Sequence, residues 1–514
     1  MRPVTRAALL LLLLLIASAH AEAPIAGAGF NATLAAQVFG TALAFMEPRT
    51  LDPVGIPQLT DWGLAGLTAL DTDTVAILRE DRIVLSRGDR LLAGLPLPAP
   101  EDAVAWGRTG AQLAAAAWDA SPQVRRAGTQ GVIRSFFDEL FNHLDPYSRY
   151  ASPAEAAADR DRRSGEAGAG LTLASRGSQV VVGEVIADGP AALAGIHPGE
   201  RIIAIDGAAL RTRDAAQAAA EIAGPEGTPV SITLRGGDGR LHTIAVVRAM
   251  VPPETVFPER DADTLVLRIT GFSRSTDRRV ANVLTAALAG VRPPRGVVLD
   301  LRGNRGGLLR QAVAAAELML GSGLVVTTAG RDPEADHVWR ADGTDLTRGL
   351  PLVVMVDGRS ASAAEMVAAA LADDGRGVVV GSATMGKGLV QTIAPLPDGG
   401  ELFVTWSRVL APLGWPIQGL GVLPQVCTSL GEDVLERQLA SLSQGRQPLA
   451  EALALHRAAR APMPIAQMLD IRNACPAAVG SDRDLRAAQF LIASPAAYAT
   501  ALVPQGPRRT AGAP

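Results

Sequence analysis

A serine and a lysine in the second half of the chain are candidates for catalysis. Ser362 stands at the start of an alanine-rich apolar stretch, and Lys387 lies between two glycines. A serine hydroxyl becomes a strong nucleophile when a base removes its proton, and a lysine serves as that base when burial leaves its amine neutral. A structural interpretation is also open, because a serine that begins a helix is commonly a cap and a lysine between glycines is commonly solvated.

The residues between Ser362 and Lys387 contain elements that can bring the two together. The stretch is long enough for a helix of about three turns, a turn and a short strand. We therefore expect the loop that carries Lys387 to return beside the start of the helix. Apolar residues flank the lysine, and such surroundings lower the pKa of an amine.

A glycine-rich turn precedes the serine in the sequence. Gly296 to Leu309 reads as a buried strand, a turn and the start of a helix. The backbone amide of Gly306 or Gly307, together with the amide of Ala363, can form an oxyanion hole. The other interpretation is a plain strand-to-helix turn, since glycine-rich turns are individually weak signals.

Three motifs occur in a fixed order: LDLRGNRGG from Leu299 to Gly307, SASAAE from Ser360 to Glu365, and GKGLVQ from Gly386 to Gln391. In this order they resemble the carboxyl-terminal processing proteases, also called tail-specific proteases, which are serine peptidases with a Ser-Lys dyad. Two positions depart from the family pattern. Arg305 stands in place of the usual proline and Ala364 in place of the third serine.

The resemblance implies a role for each matching position. Ser362 is the expected nucleophile, Lys387 the general base, and Gln391 the residue that orients the lysine. Gly306 or Gly307, with Ala363, is assigned to the oxyanion hole. No metal or organic cofactor is implied.

The segment from Gly168 to Arg248 resembles a PDZ domain. Such a domain adds a peptide to a sheet edge while backbone amides hold the terminal carboxylate. The resemblance assigns those amides to Ala169, Gly170 and Leu171, and the Leu171 side chain to the last residue of the peptide. The expected partners are therefore protein or peptide substrates with accessible carboxyl termini.

The first residues have the pattern of a secretory signal. Arg2 and Arg6 precede an apolar stretch, and Ala19-His20-Ala21 has the small-x-small form of a cleavage site. The apolar stretch is shorter than the roughly twenty residues that span a bilayer. The pattern predicts an exported protein without a stable membrane span, and the family resemblance favours the periplasm. A formal charge of −4 gives no broad electrostatic reason to expect nucleic-acid binding.

The two cysteines of the chain are Cys427 and Cys475. In an exported protein they are candidates for a disulfide, and two separate buried thiols are the alternative. They make a poor zinc site, and no HExxH sequence occurs. No histidine lies in the SASAAE or GKGLVQ motifs, which favours lysine as the base.

These patterns predict a multidomain α/β protein whose core, by family resemblance, has a ClpP/crotonase-like fold. Helical spacing dominates the N-terminal region, although Thr74 to Leu85 fits a hairpin equally well, and Leu144 to Tyr150 is interpreted as a structural turn. In order, the predicted parts are a signal peptide (1–21), a mainly helical region (22–150), a PDZ domain (165–249), a serine peptidase core (252–426), a helical region (427–503) and a disordered tail (504–514).

The predicted function is an exported serine endopeptidase that recognises protein carboxyl termini and processes or degrades envelope proteins. An adaptor or self-association is left open. A non-catalytic PDZ scaffold that binds peptides is the main alternative. A different α/β enzyme, such as an acyl-CoA hydratase-like protein, is a further one, because related folds host several chemistries.

Overall fold

The computed structural model describes residues 29–186, 189–211 and 214–502. The predicted signal peptide (1–21) and C-terminal tail (504–514) lie outside these ranges. Four regions follow one another along the described chain, and two of them contribute to the site considered below.

The N-terminal region is a helical bundle with a small sheet. Its helices begin at polar caps: the side chains of Asn31, Asp102 and Ser121 each accept a hydrogen bond from an N–H of the following turn. The stretch that fits a helix or a hairpin is a hairpin, extended by a third antiparallel strand. The elements are helices α1 (Ala32–Met46), α2 (Ile56–Leu70), α3 (Ala103–Ala120), α4 (Pro122–Asn142) and α5 (Pro153–Ser164), and strands β1 (Thr74–Leu78), β2 (Arg82–Arg87), β3 (Arg90–Pro96) and β4 (Arg149–Ala151).

The second region is a β-rich domain. Its sheet has the order β11-β10-β8-β7-β6, with β9 paired to β8, so β6 is an edge strand. A separate antiparallel pair, β5 with β12, joins the two ends of the domain. The elements are strands β5 (Glu166–Gly168), β6 (Leu171–Arg176), β7 (Gln179–Val185), β8 (Arg201–Ile205), β9 (Ala208–Ala209), β10 (Pro229–Arg235), β11 (Leu241–Val247) and β12 (Ala249–Val251), and helices α6 (Pro190–Leu193) and α7 (Ala215–Ile222).

The third region is an α/β core built on two sheets. The first has the order β13-β14-β15-β18-β19-β22 and is parallel from β14 to β22. Every residue of β15, β18 and β19 is buried, as expected for parallel strands covered on both faces. The second sheet has the order β17-β16-β21-β20. The elements are strands β13 (Val256–Asp261), β14 (Thr264–Ile269), β15 (Gly296–Asp300), β16 (Ser322–Gly330), β17 (His337–Asp342), β18 (Leu352–Val356), β19 (Val378–Gly381), β20 (Leu389–Pro395), β21 (Glu401–Leu410) and β22 (Val426–Cys427), helices α8 (Thr276–Ala289), α9 (Leu309–Leu320) and α10 (Ala363–Asp373), and a 3-10 helix (Pro333–Ala335).

The fourth region is helical and packs against the core. Its helices are α11 (Glu432–Ser443), α12 (Ala450–Ala458), α13 (Ile465–Asn473), α14 (Asp482–Ala493) and α15 (Pro495–Ala501). A disulfide joins Cys427, at the end of β22, to Cys475, just after α13, with an S–S distance of 2.07 Å. Of the two alternatives for these cysteines, a disulfide or two separate buried thiols, the structure contains the disulfide.

One connection brings the N-terminal region into the core. Strand β4 pairs antiparallel with β21, with Arg149 opposite Phe403 and Ala151 opposite Glu401. The segment just before β4 is thereby placed beside the second sheet. The predicted fold class, a multidomain α/β protein with helical regions at both ends of the described chain, is confirmed.

Candidate active site

Three adjacent parallel strands bring the predicted catalytic segments to one edge of the core sheet. Asp300 of β15 pairs with Met355 of β18, and Val356 of β18 pairs with Gly381 of β19. Because these strands are parallel and in register, the segments that follow them start side by side. They carry the glycine-rich turn, Ser362 and Lys387 respectively. The structure therefore brings together the three motifs that are far apart in the sequence.

Ser362 lies in a sharp turn that leads into α10. Its backbone has φ +57° and ψ −121°, a conformation that residues with a side chain rarely adopt. Such a conformation persists only where surrounding contacts enforce it, and it is frequent at functional sites. Here the Ser362 N–H donates to Glu365 Oε2 at 2.8 Å, and the Ser360 hydroxyl donates to the Leu301 carbonyl oxygen at 2.8 Å. The nucleophile candidate is thus held in place by its own turn and by the residue that follows β15.

Glu365 connects the serine turn to the lysine loop. Its side chain is fully buried, and its carboxylate accepts from Ser362 N–H at 2.8 Å, Gly386 N–H at 2.6 Å, Lys387 N–H at 2.9 Å and the Thr384 hydroxyl. Burial raises the pKa of this carboxyl, while the four hydrogen bonds oppose that shift. The sequence interpretation did not single out Glu365. Its signal is the serine-x-x-glutamate spacing of a capping box.

The Lys387 side chain is half-buried, and its amine lies over the ring of Tyr147, with 4.8 Å from Nζ to the ring centroid. Burial lowers the pKa of Lys387 and the nearby Arg149 lowers it further, whereas Asp145 and Glu365 raise it. Among the described residues, no hydrogen bond joins the Lys387 amine to the Ser362 hydroxyl. The structure brings the two segments together and leaves the amine on the aromatic ring.

The residues that surround Lys387 come from a segment interpreted as a structural turn. Asp145 caps that turn by accepting from the N–H groups of Tyr147 at 2.9 Å and Ser148 at 3.1 Å. This segment therefore forms the predicted turn, and the pairing of β4 with β21 places it against the lysine loop. Sequence reasoning missed Tyr147 and Arg149 as neighbours of the lysine, because this contact depends on long-range strand pairing.

Gln391 follows Lys387 on β20. Its Nε2 donates to Thr405 Oγ1 at 2.9 Å and to the Leu389 carbonyl oxygen at 3.2 Å. The Thr405 hydroxyl in turn donates to Asp145 Oδ1 at 2.7 Å. Gln391 is therefore linked to the turn that carries Tyr147, and it makes no direct hydrogen bond to the lysine within the described part of the chain.

The glycine-rich turn lies against the serine turn. A side chain at Gly306 would place its Cβ 2.9 Å from Ser362 Cβ and 3.1 Å from Ala363 N, so only glycine fits. The Gly306 N–H is occupied, because it donates to Asn304 Oδ1 at 2.8 Å. Gly307 is exposed, and among the described residues neither its N–H nor that of Ala363 has an acceptor. Of the two glycines considered for an oxyanion hole, the geometry favours Gly307.

Asn304 holds the glycine-rich turn and the serine turn together. It is fully buried, its side chain accepts from Gly306 N–H, and its carbonyl oxygen accepts from Ala361 N–H at 2.9 Å. Its Nδ2 donates to the Ile269 carbonyl oxygen at 2.8 Å. Sequence reasoning did not identify this residue, although it lies inside the LDLRGNRGG motif.

The three predicted peptide contacts, Ala169, Gly170 and Leu171, line one groove of about 750 Å³. The groove runs from the start of edge strand β6 to α7, which contributes Ala219 and Ile222. The Gly170 carbonyl oxygen accepts from Ile186 N–H at 2.9 Å, which fixes the loop before β6. An edge strand beside a groove can accept a peptide as an added strand.

Two further findings concern metals and membranes. In residues 29–186, 189–211 and 214–502, no group of three or more histidine, cysteine or acidic side chains is arranged to hold a metal ion. Within the same residues, no helix is both long and apolar enough to span a bilayer.

Comparison with known proteins gives matches over the core and the β-rich domain. Residues 263–428 match peptidase family S41, and residues 181–236 match the PDZ domain. The chain is 35% identical over 307 residues to the carboxy-terminal-processing protease of Bartonella bacilliformis, covering 58% of this chain and 69% of that protein. It is 33% identical over 327 residues to the chloroplastic carboxyl-terminal-processing peptidase 3 of Arabidopsis thaliana, covering 60% of this chain and 62% of that peptidase.

Among solved structures, the photosystem II D1 C-terminal processing protease is similar at 29% sequence identity. That match covers 61% of this chain and 85% of the other, with a TM-score of 0.34. The sequence matches confirm the predicted family and its PDZ domain. The chain therefore belongs to peptidase family S41, the carboxy-terminal processing proteases, and is a serine peptidase.

Proposed function

We propose that this protein is an exported endopeptidase that recognises the carboxyl end of a protein through its PDZ domain and hydrolyses peptide bonds with a Ser-Lys dyad. The observation that supports the Ser-Lys dyad is the buried Glu365 carboxylate, which accepts hydrogen bonds from the backbone N–H groups of both Ser362 and Lys387. This carboxylate fixes the two segments relative to each other, and it supports a common function for the two residues.

The proposed reaction begins with attack of the Ser362 hydroxyl on the carbonyl carbon of the scissile bond. The neutral Lys387 amine takes the hydroxyl proton, and the resulting ammonium donates it to the leaving amine as the C–N bond breaks. The negative oxygen of the tetrahedral intermediate is bound by the N–H groups of Gly307 and Ala363. Water then attacks the acyl ester and transfers a proton to Lys387. As the ester C–O bond breaks, the Lys387 ammonium returns this proton to Ser362 Oγ, the carboxylic acid product leaves, and the amine is neutral again.

Proton transfer requires the lysine amine to reach the serine. In the structure the amine lies over the Tyr147 ring, and a cation above an aromatic ring is stabilised as a cation. Burial and Arg149 act in the opposite direction, because both lower the pKa of Lys387. The active form in this proposal is one in which the neutral amine has left the ring and accepts from Ser362.

Substrate selection is assigned to the groove beside β6. A peptide added to this edge strand can place its terminal carboxylate against the N–H groups of Ala169, Gly170 and Leu171. Export is supported by the cleavable signal pattern in residues 1–21, and the periplasm with its envelope proteins is the proposed compartment.

The deciding experiment compares the mature protein with Ser362→Ala on an unfolded model protein, with products identified by mass spectrometry. Ser443→Ala is the matched control, because this serine is exposed on α11, outside the site. We expect cleavage by the wild type and the control and none by Ser362→Ala. Equal cleavage by all three would refute the serine mechanism, and peptide binding without cleavage by any would favour the scaffold.

The role of the carboxyl terminus is tested with one substrate prepared in two forms. A free terminal carboxylate should be cleaved more efficiently than the same chain ending in an amide, because an amide removes the charge that the backbone N–H groups bind. Equal kcat/KM values for the two forms would contradict selection of the substrate by its terminal carboxylate through the PDZ domain. Export is tested separately by cell fractionation and by sequencing the mature amino terminus, which we expect at Glu22.

A further inference from the structure

A cavity of about 820 Å³ lies beside the candidate active site and has no role in the mechanism above. Its apolar lining includes two tryptophans and three large aliphatic residues, Trp339, Trp406, Leu308, Leu309 and Val390, together with Pro333 and Ala335. We call this cavity the two-tryptophan pocket.

The walls of this pocket are continuous with the catalytic segments. Leu308 directly follows Gly307, and its N–H donates to the Phe272 carbonyl oxygen at 2.8 Å, which fixes the chain at that point. Val390 lies on β20 in the GKGLVQ motif that begins at Gly386. Trp406 is next to Thr405, the hydrogen-bond partner of Gln391. A polypeptide whose carbonyl group lies against Gly307 and Ala363 would therefore pass the mouth of the pocket.

Trp339 is held in place by contacts on its ring. The His337 ring stacks on it at 5.5 Å between centroids and 21° between planes. The Arg310 guanidinium lies 5.4 Å from the ring centroid. Because neighbouring groups orient the indole, this wall is formed before any ligand arrives. Binding to a preformed wall costs less conformational entropy than ordering a mobile one.

The size and chemistry of the pocket identify the kind of group that it accepts. Ligand cavities of this volume with apolar and aromatic walls bind large apolar groups. A charged group that entered such an interior would lose its hydration, which costs free energy. The charged lining residues are Arg274, Arg310, Glu334 and Asp336, and all four are exposed. An aromatic or long aliphatic side chain fits the interior better than a small or charged one.

We infer that the two-tryptophan pocket binds a large apolar or aromatic side chain of the substrate within two residues of the scissile bond, and so selects the cleavage site. This inference rests on the proposed peptidase function. It divides recognition between two places: the PDZ groove takes the chain end, and the two-tryptophan pocket takes a side chain at the point of cleavage.

The test uses a pair of peptides that differ only in one residue near the cleavage site, phenylalanine in one and alanine in the other. We expect the wild type to prefer the phenylalanine peptide by at least about tenfold in kcat/KM, a typical discrimination by an apolar pocket. Trp406→Ala and Trp339→Ala should each reduce this preference several-fold. Trp62→Ala is the matched control, because Trp62 stacks on His143 in the N-terminal region, outside the pocket.

Trp339→Phe separates loss of the wall from a general loss of folding. Among the described residues, the buried Trp339 Nε1 has no hydrogen-bond partner, so this substitution removes no hydrogen bond and keeps an aromatic ring. We expect it to retain most of the preference. The inference would be overturned if the wild type had nearly equal kcat/KM values for the phenylalanine and alanine peptides. It would also be overturned if Trp406→Ala and Trp62→Ala had the same ratio of these two values.

A binding measurement distinguishes failure of the pocket from failure of the proposed peptidase. Both peptides, amidated so that they lack a terminal carboxylate, are titrated into Ser362→Ala and into the Ser362→Ala/Trp406→Ala double variant by calorimetry. Tighter binding of the phenylalanine peptide to the first protein only would support the pocket even if the wild type does not turn over. Equal affinities in both proteins would overturn the pocket even if the wild type cleaves.

Discussion

Ser362 and Lys387 are positioned by different parts of the molecule. The serine turn is held by hydrogen bonds within the core, through Glu365, Asn304 and Leu301. The lysine backbone is also fixed by Glu365, but its side chain lies against Tyr147 from the N-terminal region. The difference indicates that the position of Ser362 depends on contacts within the core, whereas the protonation and placement of the Lys387 amine also depend on the N-terminal region.

The largest effect should come from replacing either member of the proposed Ser-Lys dyad. Ser362→Ala and Lys387→Met should each lower kcat/KM by about 10³-fold or more, and the double variant should be no worse, because groups that act as one unit are not additive. Lys387→Arg should be equally inactive, since a guanidinium keeps its proton. Peptide cleavage assays measure all four. A lysine variant that retains a tenth of wild-type activity would show that another group is the base.

A second, smaller effect should follow from weakening Glu365, which links the Ser362 turn to the Lys387 loop. Glu365→Gln replaces one acceptor oxygen with a donor, opposite N–H and O–H groups that need acceptors. We expect kcat to fall by about 10²-fold, and the free energy of unfolding to fall by about 1–3 kcal/mol, the usual cost of unsatisfied buried polar groups. Glu432→Gln on α11, which pairs with Arg486 at the surface, is the control. Unchanged kcat in Glu365→Gln would mean that the carboxylate is not needed to align the dyad.

The charge near the base can be changed without touching the serine. Since the neutral lysine is the active form in the proposed mechanism, kcat/KM should rise as pH increases through the lowered pKa of Lys387. Arg149→Gln removes a cation that lowers this pKa, so the rising part of the profile should move to higher pH and activity at pH 7 should fall. Arg163→Gln is the matched control, because Arg149 and Arg163 both lie over the Phe403 ring and each pairs with an acidic residue, Asp159 and Glu401 respectively. A shift of equal size in both variants would contradict a specific effect of Arg149.

The smallest effect is expected from replacing Tyr147, and the pH profile should shift in the direction opposite to that of Arg149→Gln. Tyr147→Leu removes a ring that stabilises the protonated amine, so the pKa of Lys387 should fall and the profile should move to lower pH. The change in kcat/KM at neutral pH should stay below about tenfold, given cation–π energies of about 0.5–1 kcal/mol at partly exposed sites. Tyr147→Phe keeps the ring and should behave like the wild type. A shift to higher pH in Tyr147→Leu would exclude the ring as a site for the protonated lysine.

Local patterns in the sequence were sufficient to identify the segments that the structure brings together. Contiguous motifs identified Ser362, Lys387 and the glycine-rich turn, because a strand, a tight turn and a helix leave their mark on neighbouring residues. The same patterns predicted an α/β core, and the resemblance to a known domain implied a PDZ domain. They left Thr74 to Leu85 open between helix and hairpin, since a short apolar run fits both periods.

The tertiary structure decided what depends on distant partners. The contact of Tyr147 with Lys387 follows from the pairing of β4 with β21, and the Thr405 and Asp145 that help to hold it are 260 positions apart. The preference for Gly307 over Gly306 follows from the side chain of Asn304, which occupies one amide and leaves the other exposed. The sequence by itself determined which residues can do chemistry, because that is a property of residue type and local backbone. Their surroundings, and so their pKa values and free hydrogen-bonding groups, came from strand pairing and packing between segments that no local pattern connects.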